Sequence, residues 1–210
     1  MKRKKTENFS ETWFFKWILN NQEEFQIRIL NISIGMGEAS DGERMRELLS
    51  LVDEVWNRGI IVVCAAGNGG PGAMTISPIG ARKKVITVSC NEDGYFGERE
   101  DLCEEYSSRG PSPYDMRKPD IVAPGTDIIS CNAFFEKRGF RYRNAYTKKS
   151  GTSMAVPIVS GIIALLLSKD PSLTPNEVKL QLYRSADRTG MDRRIKCWGT
   201  INLRKLLSVY

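Results

Sequence analysis

The chain has 210 residues, 31 Lys and Arg against 25 Asp and Glu, 41% hydrophobic and 27% charged residues, and no histidine. This is globular composition, with enough length for one domain and its core, and it argues against disorder. The missing imidazole excludes His-based acid–base work, His metal ligation and a complete Ser-His-Asp set drawn from this chain alone.

Met1–Lys5 is basic, but polar Thr6–Thr12 follows. Lys16 breaks the apolar patch Trp13–Leu19, and no small-residue cleavage site follows, so a signal peptide is not expected. No run of eighteen apolar residues is read, so no membrane span is expected either. The five cysteines, Cys64, Cys90, Cys103, Cys131 and Cys197, are scattered and odd in number, without a C-x-x-C pair. That pattern disfavours a disulfide framework and a zinc site and points to a reducing, cytoplasmic setting.

Phe14–Phe25 reads as a helix, and Ile27–Ile34 as a strand stopped by Gly35 and Gly37. Ser40-Asp41 opens a second helix, with Met45, Leu48, Leu49, Val52, Val55 and Trp56 on one face and Gly59 as its stop. Ile60–Cys64 is a continuous apolar run, as in strands covered on both faces. Strand, helix, strand in this order is a βαβ unit. Val85–Val88 and Ile121–Ala123 read as further short strands, with Asn91–Gly94 and Ser107–Pro111 as loop between them.

Ser153–Lys169 reads as a buried helix. Thr174-Pro175-Asn176-Glu177 is a full helix start, with a capping Thr, Pro at the first helical position, Glu closing the box, and Leu173 and Val178 available as a staple. The alternation of strands and helices predicts an α/β fold.

Two loops have the residues for chemistry. Ala65-Ala66-Gly67-Asn68-Gly69-Gly70-Pro71 follows the buried strand, at the carboxyl end where open α/β sheets form sites. Small residues there admit a ligand backbone, and Asn68 offers an amide donor. Taken alone, the same residues are ordinary turn chemistry. Ser150–Pro157 enters the apolar helix, so Ser153 lies where unpaired N–H groups and the helix dipole favour a developing oxyanion. Taken alone, Ser153 is equally a helix N-cap.

In order along the chain, these segments resemble the C-terminal part of the catalytic domain of the subtilisin-like serine endopeptidases. The family's G-T-S-M-A-x-P element stands as Gly151–Pro157, its A-A-G-N element as Ala65–Asn68, and its N-x-S-x-G strand as Asn31, Ser33 and Gly35. Its F-S-S-x-G-P loop is similar to Tyr106–Pro111, its x-A-P-G turn to Val122–Gly125, and its terminal G-x-I-N to Gly199–Asn202. The ordered set spans about residues 12 to 207 and is far more specific than any one motif.

The resemblance implies a three-layer fold, a mostly parallel sheet between helices, with the N-terminal portion of the family domain missing. Residues 1–11 stay unplaced, and 12–210 would be a partial peptidase domain. Ser153 would be the nucleophile and Asn68 an oxyanion donor. Ser33, Ile34, Gly35, Ala66 and Gly67 would line the substrate. The family's Asp (D-S/T-G) and His (H-G-T) motifs belong upstream of the matched segments. Asp41-Gly42 and Asp93-Gly94 lie downstream of that place and read as a helix start and a turn.

The expectation is therefore a peptidase fragment, inactive or very weak alone, with a peptide or protein substrate and a complementary N-terminal chain as partners. The alternative is a non-catalytic peptide-binding relic. No metal site or cofactor is expected, and no ligand for the family's structural calcium is identifiable. Lys148 and Lys149 could form a Ser-Lys pair with Ser153 only if deprotonated, against an ordinary lysine pKa of about 10.4. Phe134–Arg143 mixes aromatic and basic residues, as single-strand nucleic-acid binders do. One short loop is a poor electrostatic footprint, and a surface hairpin with Gly139 at its tip is the reading preferred.

Overall fold

The computed structural model describes residues 11–34, 42–91, 103–111, 117–189 and 197–208. Helix α1 (Glu11–Asn21) leads to strand β1 (Ile29–Ile32), helix α2 (Gly42–Asn57) and strands β2 (Ile61–Ala65) and β3 (Ile86–Asn91). A four-residue helix α3 (Cys103–Tyr106) precedes β4 (Ile121–Pro124) and β5 (Ile128–Cys131). Three short strands follow, β6 (Glu136–Arg138), β7 (Arg141–Arg143) and β8 (Tyr146–Lys149). Helices α4 (Thr152–Lys169), α5 (Pro175–Ser185) and α6 (Leu203–Ser208) close the chain.

Strands β1 to β4 form one parallel sheet in the order β1-β2-β3-β4. All five residues of β2 are buried, as its unbroken apolar run requires of a strand covered on both faces. α4 packs across all four strands, α2 covers β2, and α1 packs on α2. The predicted α/β architecture, a parallel sheet between helices, is the one observed. Element ends move by a few residues: the first helix stops at Asn21, β1 is half the predicted length, and β3 runs on to Asn91.

α4 is the buried helix expected from Ser153 to Lys169. Its 18 residues are long and apolar enough to cross a membrane by length and composition. Here Ala155, Val156, Val159, Ile163 and Leu166 are buried in the protein core. Its apolar composition is that of a central helix packed on a sheet.

The cysteines bring a correction. Cys90, on β3, and Cys103, on α3, form a disulfide across a separation of 13 residues, leaving Cys64, Cys131 and Cys197 free. Tertiary packing brings the end of β3 beside the start of α3, which the spacing of the cysteines does not reveal.

Where β3 and β4 begin, a buried charged cluster joins them. Lys118 Nζ donates to Asp120 Oδ2 (2.6 Å), Thr87 Oγ1 (2.9 Å) and the Val85 carbonyl (3.3 Å). Asp120 Oδ2 also accepts from the Thr87 N–H at 2.8 Å. A buried ion pair is tolerated only when its remaining hydrogen-bonding capacity is met, and here it is. At α5 the predicted capping box is present: Thr174 Oγ1 accepts from the Glu177 N–H, and Glu177 Oε2 accepts from the Thr174 N–H.

Candidate active site

Three segments meet at the carboxyl end of the sheet: the loop after β2, the turn after β4 and the start of α4. The loop after β2 is held by the stretch after α3. Gly67 carbonyl accepts from the Ser108 N–H (2.9 Å), the Gly69 N–H donates to Ser108 Oγ (3.1 Å), and the Gly70 N–H donates to the Tyr106 carbonyl (2.8 Å). Gly67 has φ +110°, and a Cβ there would lie 2.9 Å from Ser108 Oγ. Only glycine meets both demands. Ala66 beside it is fully buried.

The turn after β4 sets the height of α4. The Gly151 N–H donates to the Gly125 carbonyl at 2.8 Å. Gly125 is pressed against the disulfide: a Cβ there would fall 2.4 Å from Cys90 Cβ and 3.0 Å from the Gly151 carbonyl oxygen. Gly151, at φ +143°, is the N-cap of α4 and makes no side-chain cap. Ser153 is therefore the second residue of the helix and not its cap. Among the described residues no hydrogen bond is made to its hydroxyl. Pro157 falls within the helix.

Asn68 reaches across to this helix start. Its Oδ1 accepts from the Thr152 N–H (3.1 Å) and from Thr152 Oγ1 (2.9 Å). Two donors on one side fix which end of the amide is oxygen and leave Nδ2 as the outward end. The point where a side chain at residue 151 would begin is 3.4 Å from Asn68 Nδ2 and 3.9 Å from the Ser153 nitrogen. Two N–H donors thus border one small space, kept open because residue 151 is glycine.

The helix start adds a partial positive charge from its aligned peptide dipoles. The arrangement can hold an oxygen that gains negative charge beside a free hydroxyl. Thr152 and Gly125 were missed in the sequence as contributors. Thr152 sits inside the recognised motif, but only the fold reveals that its two donors orient Asn68.

Asn31 on β1 links the sheet edge to α4: its Oδ1 accepts from Ser160 Oγ (3.0 Å), and its Nδ2 donates to Ser33 Oγ (2.7 Å). Ser33 and Ile34 follow the strand, and Ile34 is exposed. Gly35, also predicted to line the substrate, lies outside the described residues, as do Asp41 and Asp93-Gly94.

Lys148 pairs with Asp127 (3.0 Å), and no hydrogen bond joins it or Lys149 to Ser153 among the described residues. No group of three or more His, Cys, Asp or Glu side chains that could hold a metal ion occurs among the described residues. Phe134–Arg143 forms the antiparallel β6–β7 hairpin, with Gly139 in its turn at φ +61°.

The profile of the Subtilase family matches residues 3–199. Serine protease AprX of Bacillus subtilis (strain 168) is 41% identical over 184 residues, covering 84% of this chain and 41% of that protein. Among solved structures, the self-cleaved protease domain of PatA superposes with a TM-score of 0.70 at 26% identity, over 97% of this chain and 69% of that one. Sphericase gives a TM-score of 0.64 at 26% identity, over 84% and 54%. The chain spans less than half the length of the curated relatives it matches. With the motifs in family order and the sheet beneath them, the chain belongs to the Subtilase family of serine endopeptidases.

Proposed function

We propose that this chain carries the nucleophile and oxyanion site of a subtilisin-type endopeptidase and takes its general base from a second polypeptide segment. Ser153 Oγ attacks the carbonyl carbon of the scissile peptide bond, and its proton passes to that base. The carbonyl oxygen becomes an oxyanion held by the Ser153 N–H and Asn68 Nδ2. Collapse expels the amine, which receives the proton, and water then releases the acyl group from Ser153. Ser33 and Ile34 would pair with the extended substrate through main-chain bonds, with Ala66 and Gly67 beside it.

The observation that carries this reading is the pair of donors around Gly151, next to a Ser153 hydroxyl that makes no hydrogen bond among the described residues. The need for a second segment rests on the absence of histidine and on the surface beside the site. β1 pairs only with β2 among the described residues, leaving an edge open. The exposed residues of α4, Pro157, Gly161, Ala164, Leu165, Ser168 and, at its end, Lys169, fall on one stripe. An open parallel edge beside an apolar helix stripe suits further strands and a helix, and a segment seated there would lie next to Ser153.

The 210-residue chain alone should hydrolyse a chromogenic peptide about 10⁶-fold more slowly than a complete family member, a figure taken from base removal in subtilisin itself. Co-expression with a segment that bears the family's Asp (D-S/T-G) and His (H-G-T) motifs should restore turnover and fluorophosphonate labelling of Ser153. Full turnover by the chain alone, lost in Ser153→Ala, would overturn the need for a second segment. Labelling that never rises on complementation would favour the peptide-binding relic, which keeps the groove without the chemistry.

A further inference from the structure

An open groove of about 420 Å³ runs from Ser153 to the β5–β8 ribbon. Its floor is apolar, including Ile129, Met154 and Pro157, Cys131 sits in its wall, and Lys149 is its one charged lining residue. The ribbon leaves the sheet from β4, the edge opposite β1, so the groove lies across the site from Ser33 and Ile34.

The surroundings are cationic. Residues 126–149 carry six Lys or Arg against two Asp or Glu, so this one excursion supplies most of the chain's net charge of +6. Of the two acids, Asp127 is paired with Lys148. Beyond the groove the hairpin presents Phe134, Phe140 and Tyr142, all exposed, and Lys137 Nζ lies 5.8 Å from the Tyr142 ring centre.

We propose that this groove takes an acidic peptide segment, an Asp or Glu against Lys149 with apolar neighbours on the Ile129–Met154 floor, and that the basic ribbon selects it by charge. The proposal rests on the endopeptidase reading, under which the segment is one flank of the substrate's scissile bond. Charge complementarity names the occupant: an apolar trough with one cation at its wall and a cationic rim attracts a chain of opposite sign and disfavours a basic one. A single-stranded nucleic acid would share the attraction to the rim. It would need successive stacking faces along the groove, however, and the lining holds no aromatic residue among the described residues.

Cys131 provides the readout, because a peptide seated in the groove shields its exposed thiol. Maleimide modification of Cys131 in the full chain would be followed by mass spectrometry with two eight-residue peptides, one containing Asp and Glu and its twin containing Asn and Gln. The acidic peptide should protect Cys131 saturably, with an apparent Kd about ten-fold tighter than its twin, an advantage that shrinks with added salt. Lys149→Glu should abolish or reverse the preference. Equal protection by both peptides, protection by neither, or stronger protection by dodecathymidylate would overturn the proposal. Fluorophosphonate labelling of Ser153 in the complemented enzyme is read separately, so loss of charge selection and failure of the endopeptidase reading give different results.

Discussion

Asn68 Oδ1 accepts both the backbone N–H and the hydroxyl of Thr152, the residue immediately before Ser153. The two contacts, 84 residues apart in sequence, lock an amide on one loop to the first turn of a helix. They leave Nδ2 on the side where the Ser153 N–H also lies. Under the proposed endopeptidase reading this is preorganisation: the donors are aimed before any charge develops on the substrate oxygen.

Asn68→Leu removes the amide while keeping much of its volume. In the complemented enzyme it should lower kcat by about 10²–10³ with little change in KM, the magnitude seen for the equivalent loss in subtilisin itself. Thr152→Val keeps one of the two donors and should cost about 1 kcal/mol of stability and a smaller part of kcat. Steady-state kinetics and urea denaturation of both variants check this. An unchanged kcat in Asn68→Leu would remove Asn68 from the oxyanion site.

The five cysteines should separate into three classes. Cys131 is exposed. Burial pushes the Cys64 thiol up to about 12 and the half-buried Cys197 thiol up to about 11, so both stay protonated. Maleimide should therefore add once to the native chain. Unfolding without reductant should raise the count to three, and unfolding with reductant to five, as the Cys90–Cys103 bond opens. Intact-mass spectrometry reads each number directly, and five adducts without reductant would mean that the disulfide is absent.

Lys179 predicts a pH dependence. Burial pushes its ammonium down to about 8, against partial support from Asp120, while its Nζ donates to the Lys83 and Val85 carbonyls. In the unfolded chain the group keeps its proton up to about 10.4. Between these values the unfolded state binds more protons, so the contribution of Lys179 to stability rises with pH from about 8 to about 10.4 and is flat below. Cys64 acts the other way above about 9, because its folded thiol holds a proton that the unfolded one has lost. Comparing wild type with Lys179→Met cancels the thiol. Urea midpoints should show wild type gaining on the variant across that interval. A constant difference would mean that Lys179 titrates normally.

Local chemistry was legible wherever a pattern is enforced by near neighbours. The unbroken apolar run of β2, the one-sided face of α2 and the capping box of Thr174 and Glu177 each act within a turn or a strand, so the residues spell them out. The Gly151–Pro157 and Ala65–Asn68 motifs likewise pointed to the two loops that meet. The disulfide was not legible, since pairing depends on where β3 and α3 come to lie. Nor was the length of α4 decisive, because apolar composition is shared by core helices and membrane spans.

By itself, the sequence determined the α/β alternation, the absence of any imidazole and the identity of the residues around Ser153, since these follow from composition and short-range spacing. Only the tertiary structure decided that Thr152 orients Asn68, that Gly125 bears on the Cys90–Cys103 bridge and that Lys149 shares a groove with Ser153. Those relationships arise when distant segments are packed at the end of one sheet, and contact across such separations leaves no periodic trace in a single chain.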